Sequence, residues 1–571
     1  MDSKGSAFGG GRGGKAPSPF LPASLLLLAC AVLVLYPVAF LLEESFNVGD
    51  PQQFPAAEFG LDNYRAIADD LHVLGNTAEV AAIATVLAVL FGFSLAWILT
   101  RTSIPGRALL ERLMELPYYM TPLVGALAWG ILAGPKTGFI NQVGHLLGLS
   151  GDLVNIYTPF GIGWVMALFE GTVAFVIIGA AMKSMDPSLE EGARVLGAGK
   201  LRTIFTVTLP MVAPGVLSAA VFVFAEMLGA FAAAFVLGIP GRFFVITTAI
   251  WEATLSYPPD YGRAAALGLS LFAVMLVTLG ISRRITRRGS FATISGKAFR
   301  PRPIDMGRGG GWLLLVVCWT YIAVSVVLPL AALLLTSFQR FATVVLSQSQ
   351  FTLDNYATAL QMGTLGLAFR NSLLLGFCVA TIGMLLTFTL VWIVYRSRTP
   401  GRGAFEYIGM FPQAVPRLVF GLGLLWAWIN IPIPIYGTLW LLGIAYVTVF
   451  LPLGMRTLAG VMLQVDASLE ECAKVCGAGW LRRMRTVTLP LLRPGLAAAW
   501  LLLFIASVRE LGVSIFLMGP NSKVIAPAIV NSWLSSSSEL SAAMALLQTA
   551  TVFAAMLILF AAVRRVSGER A

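Results

Sequence analysis

Ionisable side chains interrupt the apolar stretches of this 571-residue chain at a few places. Glu170, Glu226, Arg417, Arg509 and Glu510 lie in or near segments that are otherwise apolar. A charged group is costly in hydrocarbon, so such residues usually face the interior of a helix bundle or a water-filled path. We therefore predict that these five residues line a translocation path. Ion pairs that merely hold helices together are the alternative.

Other chemistry is poorly represented in the sequence. The two histidines, His72 and His145, fall outside the apolar stretches, and the five cysteines form no Cys-x-x-Cys pair, so we predict no metal site. No His-Glu-x-x-His or Gly-x-Ser-x-Gly motif occurs, which argues against an enzyme within the membrane. Gly9–Lys15 fits a phosphate-binding loop, but Ala16 replaces the Ser or Thr that would bind magnesium. We predict that this chain is not an enzyme and binds no cofactor.

The composition is that of a membrane protein. Hydrophobic residues make up 57% of the chain and charged residues 12%, against about 25% charged in soluble proteins. A helix needs about 20 apolar residues to cross a bilayer. The sequence predicts an all-α polytopic protein that contacts the lipid bilayer, with about 12 transmembrane helices. The predicted spans are 20–42, 76–99, 116–134, 160–182, 214–236, 262–282, 312–335, 371–395, 409–429, 436–458, 494–517 and 542–563.

These spans divide into two sets of six. We predict a flexible tail over 1–19, a first repeat over 20–284, a basic linker over 285–311, a second repeat over 312–564 and a tail over 565–571. The linker is rich in Gly and Pro, which is typical of a solvated tether. Because each set has an even number of helices, both run in the same direction, as parallel repeats do.

Charge in the loops predicts the orientation. Thirty of the 39 Lys and Arg residues fall in the two tails, the linker and the loops on the same side, and seven fall in the opposite loops. Cytoplasmic loops carry the excess of basic residues, so we predict that both termini are cytoplasmic. The net charge of +11 is spread over these loops and does not indicate a nucleic-acid partner.

One polar block occurs twice between apolar segments. Residues 188–210 and 468–490 are identical at 16 of 23 positions with a constant offset of 280. Shorter matches accompany it: Leu-Asp-Asn-Tyr begins at 61 and at 353, and Pro-Gly-Arg begins at 105 and at 400. The chain is therefore an internal duplication. By the charge rule, both blocks are predicted to lie in the cytoplasm.

The block has the signals of a helix–turn–helix. Ser188 and Glu191 fit a capping box, so a short helix is expected to begin near residue 187. Gly197 and Gly199 can end that helix, and a second helix is expected before Pro210. A capped surface loop without further function is the alternative, but duplication of the whole block disfavours it.

The block resembles the cytoplasmic loop of the permeases of binding-protein-dependent ABC importers with the type I fold. The loop motif of that family is Glu-Ala-Ala, three residues, Gly, nine residues, Ile-x-Leu-Pro. Here Glu191-Gly192-Ala193 leads to Gly197 and then to Val207-Thr208-Leu209-Pro210. Glu471-Cys472-Ala473 leads likewise to Gly477 and to Val487-Thr488-Leu489-Pro490. Two motifs in one chain resemble the fused permeases of ferric-iron uptake.

This resemblance implies a function and partners. The loop would couple the chain to two copies of a cytoplasmic ATPase subunit, which would bind ATP and magnesium, in a bacterial inner membrane. A periplasmic binding protein would deliver the solute, with ferric iron the first expectation and thiamine, aminoethylphosphonate or another small solute the alternatives. A secondary active transporter is the alternative of another class. The coupling residues implied are Glu190, Glu191, Ala193, Gly197, Glu470, Glu471, Ala473 and Gly477.

Overall fold

The computed structural model describes residues 20–49, 58–69, 71–288, 304–345, 349–361, 365–397, 399–535 and 537–567. The predicted tail over 1–19, most of the linker and the last four residues lie outside this part. Within it, the chain is helical, with three isolated β-bridges. The helices of the first half are α1 (Phe20–Phe46), α2 (Asp62–Asp69), α3 (Leu71–Arg101), α4 (Arg107–Leu113), α5 (Leu116–Tyr119), α6 (Pro122–Ala133), α7 (Phe139–Leu146), α8 (Pro159–Ser184), α9 (Ser188–Val195), α10 (Lys200–Thr203), α11 (Leu209–Leu228), α12 (Ala232–Gly238), α13 (Ile246–Leu255) and α14 (Tyr261–Arg288).

The second half repeats this order with three differences: α7 has no counterpart in the described residues, a π-helical turn divides the counterpart of α1 into α15 and α16, and a 3-10 helix over Phe411–Ala414 replaces α5. Its helices are α15 (Gly307–Ile322), α16 (Leu328–Ser337), α17 (Asp354–Gln361), α18 (Leu365–Tyr395), α19 (Arg402–Met410), α20 (Arg417–Ile429), α21 (Leu439–Met462), α22 (Ser468–Val475), α23 (Trp480–Arg483), α24 (Leu489–Val508), α25 (Ser514–Leu517), α26 (Ile525–Leu534) and α27 (Ser538–Ser567). The duplication seen in the sequence is thus a duplication of structure.

Ten helices in the described residues are long and apolar enough to cross a membrane, and two bent pairs bring the number to 12 if each pair is one span. The predicted all-α fold with about 12 spans is confirmed. The third and ninth spans, however, were expected to be continuous and are broken. Arg107–Tyr119 and Pro122–Ala133 meet at 91°, and Arg402–Ala414 and Arg417–Ile429 meet at 107°.

Proline explains both breaks. At the first, Thr121 is extended and its hydroxyl accepts a hydrogen bond from the Val124 N–H, while Pro122 begins α6. At the second, Val415 is extended before Pro416, and α20 begins after this proline. A residue before proline is disfavoured in the helical conformation, so each chain turns at this point and a new helix begins.

The second helix of each repeated block does not stop before the next span. Residues Ile204–Thr208 form a π-helical turn that joins α10 to α11, and Met484–Thr488 joins α23 to α24 in the same way. The continuous helices therefore run over Lys200–Leu228 and Trp480–Val508. The predicted separate span over 214–236 began too late and ended too late. Pro210 is the second residue of α11 and lies directly after the π-helical turn, inside the continuous helix.

A glycine lies where two long helices cross in each half. A methyl group added at Gly92 of α3 would lie 2.5 Å from the Ala174 Cβ of α8. In the second half, the glycine is on the other helix: a methyl group at Gly454 of α21 would lie 2.7 Å from the Thr387 Cγ2 of α18. Each crossing thus has one glycine, which lies on the earlier helix in the first half and on the later helix in the second half.

The first helix of each half packs against the opposite half. A methyl group added at Gly423 of α20 would lie 2.6 Å from the Pro37 carbonyl oxygen of α1. In the other direction, the Tyr321 hydroxyl of α15 donates a 2.8 Å hydrogen bond to the Leu168 carbonyl of α8. The halves are therefore joined by an exchange of helices as well as by the linker.

The repeated Leu-Asp-Asn-Tyr motif closes the end of that first helix. The Asn63 side chain donates to the Ser45 and Asn47 carbonyls at 3.1 and 2.8 Å. Asn355 donates to the Ser337 and Gln339 carbonyls at 2.9 and 2.8 Å. Because the last carbonyls of a helix lack partners within it, this asparagine satisfies groups that would otherwise be open. The Leu-Asp-Asn-Tyr motif therefore has a structural role in both halves.

Candidate functional site: two duplicated hairpins and a cluster of charges

We call α9 and α10 with their connecting turn the first hairpin, and α22 and α23 with theirs the second hairpin. Each begins at an aspartate and not at the predicted capping box. The Ser188 N–H donates to Asp186 Oδ1 at 2.9 Å, and the Ser468 N–H donates to Asp466 Oδ1 at 2.9 Å. This hydrogen bond from the Ser468 backbone lowers the pKa of Asp466. The predicted box from Ser188 to Glu191 is wrong because the aspartate two residues earlier already accepts this N–H.

Each short helix ends as predicted, at a glycine in the left-handed conformation. Gly197 has φ 85° and Gly477 has φ 81°. In the first hairpin, the Gly197 N–H donates to the Arg194 carbonyl at 2.9 Å and the Ala198 N–H donates to the Ala193 carbonyl at 3.0 Å. This pair of bonds is a Schellman motif, which satisfies the last carbonyls of the helix. Gly199 has φ −65° and instead precedes α10.

Glu190 joins the first hairpin to two spans. Its Oε1 accepts a 2.6 Å hydrogen bond from the Thr208 hydroxyl and lies 3.5 Å from Arg101 Nε at the end of α3. Arg101 also donates to the Met182 carbonyl at 2.9 Å. The side chains of Arg101 and Glu190 are 2% and 3% exposed. A buried charge is tolerated where it is paired and hydrogen-bonded, so this cluster fixes the hairpin against α3, α8 and α11.

The second hairpin has the same cluster in a more open form. Glu470 Oε1 accepts from the Thr488 hydroxyl at 3.0 Å and lies 3.9 Å from Arg396 Nε. Arg396 donates to the Met462 carbonyl at 2.9 Å. Here the arginine and glutamate side chains are 9% and 16% exposed. Sequence reasoning missed Arg101 and Arg396, although both lie just after a predicted span and four residues before the repeated Pro-Gly-Arg.

The predicted coupling residues thus separate into two groups. Glu190 and Glu470 point inward, whereas Glu191 and Glu471 are exposed. The apolar residues at the ends of the short helices are also open, with Val195 at 86% exposed and Val475 at 88%. Large exposed apolar side chains beside exposed carboxylates are typical of a surface that contacts another protein.

The five charged residues predicted for the path meet in one cluster. Glu170 of α8 interacts electrostatically with Glu226 of α11, and with Arg509 and Arg417 of the second half. Arg417 Nη1 lies 3.7 Å from Glu510 Oε2, and Glu510 is buried. Arg417 stands at the break before α20, and its side chain is 58% exposed. The Arg417 guanidinium is therefore not enclosed on all sides by the protein, although it is paired with Glu510.

The cluster also contains residues that sequence reasoning missed. Arg509 Nη1 donates a 2.9 Å hydrogen bond to the Tyr118 carbonyl, at the break of the first half. Arg456 of α21 interacts electrostatically with Glu226. Arg456 lies near the end of the predicted span over 436–458 and was not among the predicted path residues, whereas α21 extends to Met462.

Unlike the hairpins, this cluster does not follow the repeat. With the offset of 280, the acidic Glu170 and Glu226 correspond to Phe450 and Ala506, and the basic Arg509 corresponds to Gly229. The first half supplies two carboxylates and the second half supplies three arginines and Glu510. The hairpins are therefore duplicated between the halves, whereas the charged cluster is not.

The architecture defines a class: a two-repeat, multi-pass α-helical membrane protein with one hairpin of the same construction per repeat. A profile of a known family matches residues 83–290 and again 379–568. The chain belongs to the family described as the binding-protein-dependent transport system inner membrane component. The resemblance seen in the repeated block, a fused ABC importer permease, is confirmed.

The similar proteins match either most of this chain or a smaller part of it. It is 28% identical to the probable ABC transporter permease protein y4fN of Sinorhizobium fredii, over 95% of this chain and 96% of that protein. It is 25% identical to the Fe(3+)-transport system permease protein FbpB 2 of Haemophilus influenzae, over 86% of this chain and 88% of that protein. It is 31% identical to the molybdenum transport system permease protein ModB of Escherichia coli, over 37% of this chain and 90% of that protein.

Proposed function

We propose that this chain is the permease subunit of an ATP-driven importer in a bacterial inner membrane, with both termini in the cytoplasm. Two copies of an ATPase subunit bind the two hairpins, and a periplasmic binding protein delivers the solute to the opposite face. The ATPase subunits hold ATP and magnesium, and this chain holds no cofactor. The observation that carries the proposal is the pair of hairpins, each fixed to its spans on one side and open on the other.

The inward and outward groups of hairpin residues then have separate tasks. Glu191 and Glu471, with the exposed apolar residues beside them, contact the ATPase. Glu190 and Glu470 hold the hairpin to the spans, so that a displacement of the hairpin moves the spans with it. Ala193 and Gly197, like Ala473 and Gly477, shape the end of the helix through the bonds of the Schellman motif.

The charged cluster is proposed as part of the path. Its residues come from both halves, so a relative movement of the halves changes their spacing. ATP binding and hydrolysis would shift the population between an inward-open and an outward-open state, and each state needs a different arrangement of these charges. Ion pairing between Arg417 and Glu510 supplies one such arrangement.

Ferric iron is proposed as the solute. The support is the full-length similarity to a permease named for Fe(3+) transport, whereas the similarity to the molybdenum permease covers 37% of this chain. Among the described residues, no three His, Cys, Asp or Glu side chains are grouped to hold a metal ion. The proposal therefore assigns selection of the metal to the binding protein.

The coupling assignment is tested with Glu191→Lys, Glu471→Lys and the double variant. Each single variant should retain part of the ATPase subunit on co-purification, and the double variant should lose it, because two contacts on one complex reinforce each other. Glu58→Lys, an exposed acid outside the hairpins, is the matched control and should leave ATPase binding unchanged. A double variant that binds the ATPase and transports at the full rate would show the assignment to be wrong.

The solute is tested by uptake into vesicles that contain the complete complex and its binding protein. Labelled ferric iron should accumulate with ATP and not with a non-hydrolysable analogue. Labelled molybdate and aminoethylphosphonate serve as the alternatives. Uptake of either in place of iron would refute the solute while leaving the importer assignment intact.

A further inference from the structure

The end of the linker is bound to the first half and is not a free tether over its whole length. Its last residues, 304–306, lie along the C-terminal end of α3, and we call them the strap. The Ile304 N–H donates to the Arg101 carbonyl at 2.7 Å, and the Ser103 N–H donates to the Ile304 carbonyl at 3.2 Å. The prediction of a wholly solvated linker is wrong here because the strap forms backbone hydrogen bonds and Ile304 is only 8% exposed.

The strap also contacts the first hairpin. Lys200, the first residue of α10, donates a 3.0 Å hydrogen bond from its ammonium group to the Asp305 carbonyl. A hydrogen bond from a charged donor is stronger than one between neutral groups. The strap therefore connects the end of α3, where Arg101 pairs with Glu190, to the start of the second helix of the hairpin.

The strap is itself fixed at its other end. The Asp305 carboxylate accepts a 2.8 Å hydrogen bond from the Gly307 N–H at the start of α15, and Met306 packs against the main apolar core. The Tyr321 hydroxyl of α15 is in turn bonded to the Leu168 carbonyl of α8. Because the strap is bonded on both sides, it can hold the hairpin in place and does not merely follow it.

The second hairpin has a different contact at the equivalent residue. With the offset of 280, Lys200 corresponds to Trp480, the first residue of α23. The Trp480 ring packs edge to face against the Trp392 ring of α18, with the ring centroids 5.8 Å apart. Such an aromatic pair stabilises a contact beyond the apolar area that it buries. The two blocks thus differ at the residue that begins the second helix, and each residue contacts the element beside it, the strap in the first half and α18 in the second.

We propose that the strap positions the first hairpin, as the contact between Trp480 and Trp392 positions the second. Ile304 supplies the bonds to α3, and Asp305 supplies the bond to Lys200. A hairpin held in this way is displaced together with the end of α3. The consequence for transport rests on the proposed function, in which the hairpin moves the spans, whereas the position of the hairpin does not depend on it.

Hydrogen exchange in the purified full chain, without any partner subunit, tests the position of the hairpin. Ile304→Pro removes the N–H that donates to the Arg101 carbonyl, and Lys200→Met removes the bond to Asp305. Each substitution should raise exchange over residues 200–204 about two- to tenfold, which is the effect expected from the loss of one hydrogen bond.

The second hairpin is the internal control for this measurement. Exchange over residues 480–484 should be unchanged by the strap variants, and Trp480→Ala should raise it without an effect on residues 200–204. Ile304→Val and Lys200→Arg keep the bonding groups and should exchange like the wild type. Unchanged exchange in the first hairpin, or an equal increase in both hairpins, would overturn the proposal.

The amount of solute taken up per ATP hydrolysed separates positioning from a merely structural role. In vesicles that contain the complete complex and its binding protein, Ile304→Pro should keep the ATPase subunits bound, because the exposed Glu191 and Val195 are intact. It should lower the uptake per ATP, and Ile304→Val should match the wild type. Increased exchange with an unchanged ratio would overturn the positioning role. Failure of uptake by the wild type would contradict the proposed function and not this proposal, because the exchange measurement decides the position of the hairpin without it.

Discussion

At the scale of residues, neighbouring carboxylates in one short helix serve different purposes. Glu190 and Glu191 are adjacent in the sequence, yet Glu190 is buried with Arg101 and Thr208 while Glu191 faces solvent. A motif that contains both cannot show this difference, because the direction of a side chain depends on partners far along the chain. Arg101 lies 89 residues before Glu190 and meets it only through the packing of α3 on α8.

The buried ion pair predicts unequal effects of two equivalent substitutions. Arg101→Met should destabilise the protein by about 3 kcal/mol or more, since loss of one partner leaves Glu190 buried and unpaired. Arg396→Met should cost clearly less, because the second pair is more exposed and is screened by water. The free energy of unfolding of the two purified variants checks this.

The double variant Arg101→Met/Glu190→Gln is the control for that prediction. It should recover part of the lost stability, because no buried charge is left without a partner. Equal losses for Arg101→Met and Arg396→Met would contradict the difference in burial seen between the two hairpins.

Asp466 predicts a dependence on pH at the start of the second hairpin. Its pKa is lowered in the folded protein because it accepts the Ser468 N–H. A lowered pKa means that the cap is complete above the ordinary aspartate pKa of about 4 and is lost as the pH falls through the lowered value. Hydrogen exchange of the Ser468 amide should therefore rise over this acidic range.

Asp466→Asn keeps an oxygen that accepts the same bond but removes the titration. Exchange at Ser468 in this variant should follow only the intrinsic dependence of the amide on pH. If both proteins showed the same pH profile, Asp466 would not be the group responsible.

At the scale of elements, each hairpin depends on a backbone conformation that most residues avoid. Gly197 lies in the left-handed region and ends α9, while Gly199, two residues later, does not. No atom lies within 4 Å of a methyl group added at either position. Because space is available at both positions, a difference between the two alanine variants reports the free-energy cost of the left-handed backbone conformation.

Gly197→Ala should cost about 1–2 kcal/mol locally, which is the penalty of a side chain in this conformation. Hydrogen exchange over residues 196–199 should increase, and ATP hydrolysis by the bound partner should respond less to the solute-loaded binding protein. Gly199→Ala should leave both close to the wild-type values. Equal effects at the two positions would refute the structural role assigned to Gly197.

The sequence predicted the elements better than the connections between them. The duplication, the existence of 12 apolar segments and the left-handed glycine at the end of α9 follow from local signals such as composition, spacing and glycine. The breaks at Pro122 and Pro416 were missed because the apolar runs continue through them. The π-turns were missed because an extra residue in a helix leaves no mark in hydropathy, and the role of Asn63 depends on the end of another helix.

At the scale of the whole molecule, the two halves have the same helical scaffold, but the charged cluster between them is not duplicated. The hairpins, the glycines at the helix crossings and the exchange of α1 with α15 occur in both halves. The charged cluster takes its carboxylates mainly from the first half and its arginines from the second. The predicted path residues do meet, but their pairing could not be read from the sequence, since Arg509 reaches Tyr118 across 391 positions.

Natural thiols provide a test of orientation for the whole chain. Cys472 and Cys476 are exposed on the second hairpin, whereas Cys30 and Cys318 are buried. In a Cys378→Ser background, a thiol reagent that cannot cross membranes should label intact cells weakly and permeabilised cells strongly. Replacement of Cys472 and Cys476 by Ser should abolish the signal. Strong labelling of intact cells would place the second hairpin outside and contradict the proposed function.

One continuous helix begins within each hairpin and joins it to the charged cluster. Lys200–Leu228 has 29 residues, which corresponds to roughly 43 Å, and Glu226 lies near its far end. Trp480–Val508 has the same length and is followed at once by Arg509 and Glu510. Each helix would therefore transmit a displacement of its hairpin to the charged residues at its other end. Movement at the membrane surface would in this way change the electrostatic potential within the charged cluster.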